Sequence, residues 1–289
     1  MNTESAPGRM RVGFIGLGDQ GAPMAEMIAR AGFPLTVWAR RAEVIARFGG
    51  LGARIAADPS DLAAECDAIG LCVTDDGAVR DVVYGGGLLA AMRAGSVLMI
   101  HSTIDPALCR EIARDADARG VMVLDAPVSG SAARALARTL LVIAGGEEAV
   151  LEQVRPVLES YGNPIMHVGG VGAGMTAKLI NNLMAAVNYA TAYDALVVAR
   201  DNGIDTDLMC ALAASGSGRN YGFELMPRAH RADRTLHIAA ILGKDVELAI
   251  ATVPGLAGSE LAALARRAIR TIAGFARGQG RIVTPQAPD

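Results

Sequence analysis

Short apolar runs alternate with longer mixed stretches over the first 170 residues. The runs cover 12–15, 35–38, 68–73, 97–100, 121–124, 140–144 and 165–168. Each is only a few residues long and mostly apolar at consecutive positions, the pattern of a strand buried on both faces. The stretches between them are rich in alanine and carry helix-start signals, among them Asp58-Pro59-Ser60 and Asp105-Pro106. Strands separated by helices predict a parallel sheet covered on both sides. After Gly174 the period changes. Residues 175–202, 205–214, 237–252 and 259–277 read as helices, with no strand-like run among them. The change falls at the glycine-rich stretch GGVGAG, 169–174, and predicts an α/β domain over 1–170 and an all-helical domain over 171–289. The closing stretch GQGRIVTPQAPD reads as a tail.

Composition narrows the function classes. Hydrophobic residues make up 52% of the 289 and charged residues 20%, which excludes a disordered chain. Net charge is −3 with no lysine/arginine cluster, so nucleic acid is not an expected partner. The opening MNTESAPGRM lacks the apolar core of a leader peptide, and no stretch approaches the roughly 20 apolar residues of a membrane span. No membrane association and a cytoplasmic location are expected. Cys66, Cys72, Cys109 and Cys210 form neither CxxC nor metal-ligand spacing, and read as reduced, buried packing residues. His101, His167, His230 and His237 show no ligand spacing with carboxylates, so no metal is expected.

One motif changes the picture. Gly16, Gly18 and Gly21 stand in G-x-G-x-x-G spacing, with Leu17, Asp19 and Gln20 between them. The motif follows the first strand and opens the first helix, the context that a dinucleotide-binding Rossmann turn requires. The first glycine permits the tight turn, the second lets backbone approach a pyrophosphate, and the third allows helix–strand packing. Val73, closing the run 68–73, joins this expected cofactor-binding set. A carboxylate after the second strand would select the ribose hydroxyl of NAD. Arg40 and Arg41 stand there instead, and guanidinium pairs with phosphate in bidentate fashion. NADP is therefore preferred over NAD as the expected cofactor. The alternative is that both arginines cap an exposed helix start.

The helical stretch after Gly174 holds a second anomaly. Lys178 lies in its first turns, followed by Asn181 and Asn182. Asn182, four residues on, shares a face with Lys178. A lysine and an amide on one face can handle a reacting oxygen, the lysine exchanging a proton and the amide donating a hydrogen bond. Burial lowers an ammonium pKa toward the range general acid–base catalysis needs. The bland alternative is a lysine with its head in solvent and asparagines bonded to backbone.

Longer segments resolve the choice. GFIGLGDQGAPMA (13–25), HSTIDP (101–106), DAPVSGS (125–131), GAGMTAKLINN (172–182) and GKDVELA (243–249) follow one another along the chain. Together they resemble the β-hydroxyacid dehydrogenase family. The resemblance implies a Rossmann domain joined by a long helix to an all-helical domain, assembled as dimers or tetramers. It implies Lys178 as the catalytic lysine with Asn182 as partner, Ser129 and Gly130 as holders of a substrate carboxylate, Thr103 near the nicotinamide ribose, and Lys244 closing over the cofactor. The sequence also departs from the family. Gln20 replaces a methionine. Ser131, Arg134 and Arg138 replace glycines after the substrate segment. These arginines either bind a second acidic group or stand as solvated surface. His237 stands where phenylalanine is frequent and adds polarity to a substrate pocket, and Arg219 is a further candidate anion binder.

The implied reaction is hydride transfer between NADP (or NAD) and a small carboxylate-bearing β-hydroxy acid or its semialdehyde, with Lys178 as general acid and base. An imine reductase and a non-catalytic NADP-binding sensor are the alternatives. Lys178 counts against the first, and the intact Lys178–Asn182 pair against the second. A decarboxylating sugar-acid dehydrogenase of the phosphogluconate type would be a much longer chain.

Overall fold

The structure, a computed structural model, describes residues 9–225 and 232–276. It divides into two compact units, Met1–Lys178 and Leu179–Asp289.

The first unit is built on six parallel strands: β1 (Val12–Ile15), β2 (Leu35–Trp38), β3 (Arg54–Ile55), β4 (Ala68–Leu71), β5 (Val97–Ile100) and β6 (Met122–Asp125). Their order is β3-β2-β1-β4-β5-β6. Val12 pairs with Leu35 on one side and Ala68 on the other, so the chain leaves β1 in opposite directions to form the two halves. Alternation along the strands fills both faces. Val12, Phe14, Val97 and Met99 enter one core with Met24 and Ile28, while Ile15, Ile69, Leu98 and Ile100 enter another with Leu62 and Ile112. Burying each such side chain contributes roughly 1.5–3 kcal/mol, which is why consecutive apolar positions identified these strands.

Two expected strands leave this sheet. Residues 140–144 and 165–168 were expected in the parallel sheet. A second sheet instead contains β7 (Val128–Ser129), β8 (Leu140–Ala144) and β9 (Gly162–His167) in the order β7-β8-β9. β7 follows β6 almost directly and pairs antiparallel with β8, which diverts β8 from the main sheet. β9 then adds parallel to β8. β3 and β7 were not foreseen, because two residues carry no readable period.

Helix starts follow the caps read from sequence. The Asp58 side chain accepts from the Asp61 N–H at 2.8 Å and Asp105 from the Ala107 N–H at 2.7 Å, each just before a proline.

The regular secondary structure of the second unit is helical among its described residues. The helix Ala173–Asp201 begins in the first unit and continues in the second. It has no proline, and no glycine after Gly174, until Gly203 ends it at a φ of 76°. Thr206–Ser215, Tyr221–Leu225, Ala232–Thr252 and Glu260–Ala276 follow. Leu179, Leu183 and Ala186 share one core with Leu242, Val246, Ala249 and Ile272. His230 and the tail 278–289 lie outside the described residues. Among the described residues no helix is long and apolar enough to cross a membrane, and no cluster of His, Cys, Asp or Glu could hold a metal ion. All four cysteines are free; Cys66 and Cys109 are buried, but Cys72 and Cys210 only partly so.

Candidate active site

The residues expected to bind cofactor in the first unit follow the carboxyl ends of β1, β2, β4 and β5. In an open parallel sheet a ligand binds outside those ends, where the strand order reverses. Here the reversal lies between β1 and β4. Gly16 through Gly21 follow β1, Arg40 and Arg41 follow β2, Val73 follows β4, and Thr103 follows β5.

The glycine turn is sterically defined. Gly16 has a φ of 94°, and a Cβ there would lie 2.0 Å from the Cys72 carbonyl oxygen. A Cβ on Gly21 would lie 1.9 Å from the Gly16 carbonyl oxygen. Chain packing therefore demands both. A Cβ on Gly18 would meet no atom of the described residues within 4 Å, so packing among them does not require that glycine. This fits a position kept bare for a ligand to approach the backbone. Gln20 precedes the helix Gly21–Arg30 and makes no side-chain cap; the Ala22 N–H donates to the Gly18 carbonyl oxygen at 2.9 Å, and no side chain caps the helix start where a phosphate would bind. The Nε2 of Gln20 is buried without a hydrogen-bond partner among the described residues.

The loops after β4 and β5 are tied together. The Val73 N–H donates to Ser102 Oγ at 2.7 Å. Next to it His101 is buried, its Nδ1 2.7 Å from the Ala126 carbonyl oxygen and its Nε2 3.1 Å from the Tyr161 hydroxyl. A carbonyl only accepts, so Nδ1 carries the proton and Nε2 accepts from Tyr161. Burial pushes the imidazole down to about 4, which keeps it neutral. Thr103 is half-buried just beyond this anchor.

The lysine helix is anchored at its start by a carboxylate. Asp125, the last residue of β6, is fully buried. Its Oδ1 accepts from the Gly172 N–H and its Oδ2 from the Met175 N–H, both at 2.7 Å. A carboxylate there satisfies N–H groups that the helix cannot, and complements its dipole. Burial pushes the Asp125 carboxyl up to about 6, against the pull of these donors. One turn on, Lys178 is buried at 9% exposure. It falls on the stripe that includes Met175, Leu179, Asn182, Leu183 and Ala186, all buried. The helical period thus brings Lys178 and Asn182 to one buried face, as the sequence predicts.

In the second unit Asn182 is held by a partner that the sequence reading did not name. Its Nδ2 donates to Asp245 Oδ2 at 2.7 Å, and both side chains are buried. The carboxylate only accepts, which fixes the orientation of the amide. Asn182 Oδ1 accepts from Asn181 Nδ2 at 3.3 Å. Lys244, adjacent to Asp245, is exposed. His237 lies within the helix Ala232–Thr252, and its side chain is outside the described residues. Arg219 is exposed and lies 3.6 Å from Glu224.

Ser129 ends β7, and Gly130 follows with a φ of 137°, a backbone conformation that glycine adopts freely. Both are half-buried.

Residues 11–170 match the model of the NAD-binding domain of 6-phosphogluconate dehydrogenase, and residues 172–280 match that for NAD-binding of NADP-dependent 3-hydroxyisobutyrate dehydrogenase. This chain belongs to the β-hydroxyacid dehydrogenase family. Among its relatives, 2-(hydroxymethyl)glutarate dehydrogenase of Eubacterium barkeri is 35% identical over 74% of this chain and 72% of its own length. Mitochondrial 3-hydroxyisobutyrate dehydrogenase of the mouse is 31% identical over 75% of this chain. The match spans 65% of the mouse protein, just under two thirds. The solved Mycobacterium tuberculosis 3-hydroxyisobutyrate dehydrogenase with L-serine superimposes with a TM-score of 0.81 at 26% identity, covering 94% of this chain and 96% of that one. The chain is thus an NAD(P)-dependent oxidoreductase of this family, whose named relatives are dehydrogenases acting on hydroxyl groups.

Within the family frame, Asp125 and Asp245 are the residues that sequence reasoning passed over. Both lie inside quoted family segments, DAPVSGS and GKDVELA. The available signal was a carboxylate amid apolar neighbours, which needs a buried donor to be tolerated.

Proposed function

We propose that this protein interconverts a small β-hydroxy acid and its semialdehyde or keto acid, with NADP preferred and NAD as the second choice. The observation that carries the reading is the pair Lys178 and Asn182, buried on one helix face and backed by Asp245. The names of the relatives support it. 3-Hydroxyisobutyrate and 2-(hydroxymethyl)glutarate each carry a hydroxymethyl group on the carbon next to a carboxylate, which makes both β-hydroxy acids.

When bound, the nicotinamide cofactor supplies the hydride acceptor in oxidation and the donor in reduction. The protein supplies the rest. The Ser129 hydroxyl and the Gly130 N–H hold the substrate carboxylate and so fix the neighbouring carbinol carbon. Lys178 Nζ takes the hydroxyl proton during oxidation and returns it to the carbonyl oxygen during reduction. Asn182 has one Nδ2 hydrogen committed to Asp245; the other orients the substrate oxygen, or its Oδ1 orients the lysine by accepting from the ammonium. The Gly16–Gly21 turn and the helix after it receive the pyrophosphate, and Arg40 and Arg41 receive the 2′-phosphate. Thr103 and Lys244 contact the cofactor, and His237 lines the substrate pocket. A cytoplasmic homodimer or homotetramer without nucleic-acid or membrane partners completes the reading.

The test is oxidation of 3-hydroxyisobutyrate and reduction of glyoxylate, succinic, tartronate and methylmalonate semialdehydes with each cofactor, using wild type and Lys178→Ala. The expected result is a roughly 100-fold or larger fall in kcat in the variant with NADPH binding retained. Undiminished turnover by Lys178→Ala would refute the lysine's role.

A further inference from the structure

Arg134 and Arg138 replace glycines beside the substrate segment, and the structure separates them. Arg138 is committed to the chain. Its Nε and Nη2 donate to the Glu159 carbonyl oxygen at 3.3 and 3.2 Å, and its backbone takes a left-handed φ of 60°. Arg134 is different. Its guanidinium makes no hydrogen bond or ion pair among the described residues. Its stem runs across Gly130: a Cβ built on that glycine would lie 3.0 Å from Arg134 Cδ and 3.3 Å from Arg134 Cβ. The guanidinium begins at Nε, one bond beyond Cδ, so it stays close to the Ser129–Gly130 loop. The helix Ala132–Leu136 that carries it is pinned by the buried Ala135.

An exposed arginine is ordinarily a solvated charge. This one has its stem laid against backbone, so less chain freedom remains to be lost when the head binds a ligand. Its planar fork matches a carboxylate in two parallel hydrogen bonds. The neighbouring loop already offers a hydroxyl and an N–H to one carboxylate. A second anionic group on the same molecule would meet Arg134.

We propose that Arg134 is a specificity-determining residue that binds a second carboxylate, so that this protein prefers β-hydroxy acids bearing two carboxylates over those bearing one. The inference rests on the reading of Ser129 and Gly130 as holders of the first carboxylate.

Two compounds isolate the effect. 2-(Hydroxymethyl)glutarate and 3-hydroxyisobutyrate share the hydroxymethyl group and the carboxylate next to it. They differ in the side arm, which is a carboxyethyl group in the first and a methyl group in the second. kcat/KM is measured for both with wild type, Arg134→Gln and Arg134→Lys, and melting curves confirm that each variant folds. Wild type is expected to prefer the dicarboxylate. Arg134→Gln should lose about 10- to 100-fold on the dicarboxylate, the range for a charged hydrogen-bonded pair, with the monocarboxylate unchanged. Arg134→Lys, which keeps the charge without the fork, should recover part of the loss. Equal changes on both compounds, or a wild-type preference for the monocarboxylate, would overturn the inference and leave the parent reading intact. If neither compound, nor any substrate of the wider panel, is turned over, the parent reading falls and this inference falls with it.

Discussion

Arg40 and Arg41 follow β2 on the surface, and little in the protein engages them. Arg40 has no partner among the described residues, and Arg41 has a 3.9 Å approach to an exposed Glu43. An exposed pair of that kind contributes about 0–1 kcal/mol, so both guanidinium groups can be redirected to a phosphate at little cost. Replacing both by alanine should weaken NADPH binding by roughly tenfold or more and leave NADH binding nearly unchanged. Fluorescence titration of the two cofactors checks this, and equal losses would show that the arginines do not read the 2′-phosphate. Gly21→Ala should behave differently. Its Cβ would strike the Gly16 carbonyl oxygen at 1.9 Å, so both cofactors should be lost together with stability. At this scale the sequence was legible where a residue type broke a local pattern. Glycines at fixed spacing, and a lysine on an apolar stripe, announce themselves. Asp125 and Asp245 did not, because their meaning lies in partners far along the chain. Gly172 is 47 residues from Asp125, and Asn182 is 63 from Asp245.

The element whose placement matters most is the helix Ala173–Asp201, and Asp125 holds its start. In Asp125→Asn one oxygen can still accept an N–H, but the amide nitrogen must face the other donor. A buried N–H left unsatisfied costs about 1–3 kcal/mol, to which the lost charge–dipole attraction adds. The expected result is a lower unfolding midpoint in urea, with faster amide exchange at Gly172 and Met175 than in wild type. Unchanged exchange at those two amides would show that the hydrogen bonds do not form in solution. Legibility at this scale followed length. Four-residue apolar runs gave β1, β2 and β5 with their ends, and the long helices came within a few residues. The pairing of β8 and β9 was not legible. Apolarity says that a strand is buried, but not which neighbour buries it. Here the short β7, invisible to any period, makes that choice.

Across the whole molecule, two buried titrating groups act on stability in opposite senses. His101 has its folded pKa pushed down to about 4 from 6.5 by burial. Between those values the unfolded chain binds more protons, so stability rises with pH, by up to about 1.4 kcal/mol per unit. Asp125 has its folded pKa pushed up to about 6 from 3.8 by burial. Between those values the folded chain binds more protons, so stability falls as pH rises. Asp67, on the amino-terminal side of β4, acts lower down. Burial raises it, but Arg11 and Arg93 outweigh that and hold it at about 2, so its contribution is present above 3.8 and is lost as pH falls towards 2. From pH 4 to 6 the histidine and Asp125 therefore offset each other, and the wild-type urea midpoint should change little. Asp125→Asn leaves the histidine unopposed, and its midpoint should climb with pH over this range. His101→Gln leaves the carboxyl unopposed, and its midpoint should decline. His101 packs against Phe14 and Tyr161, donating through Nδ1 and accepting through Nε2, while Asp125 accepts from the Gly172 and Met175 N–H groups at a helix start. If the two variants show slopes of the same sign, the opposed burial of these groups is not what sets the pH profile.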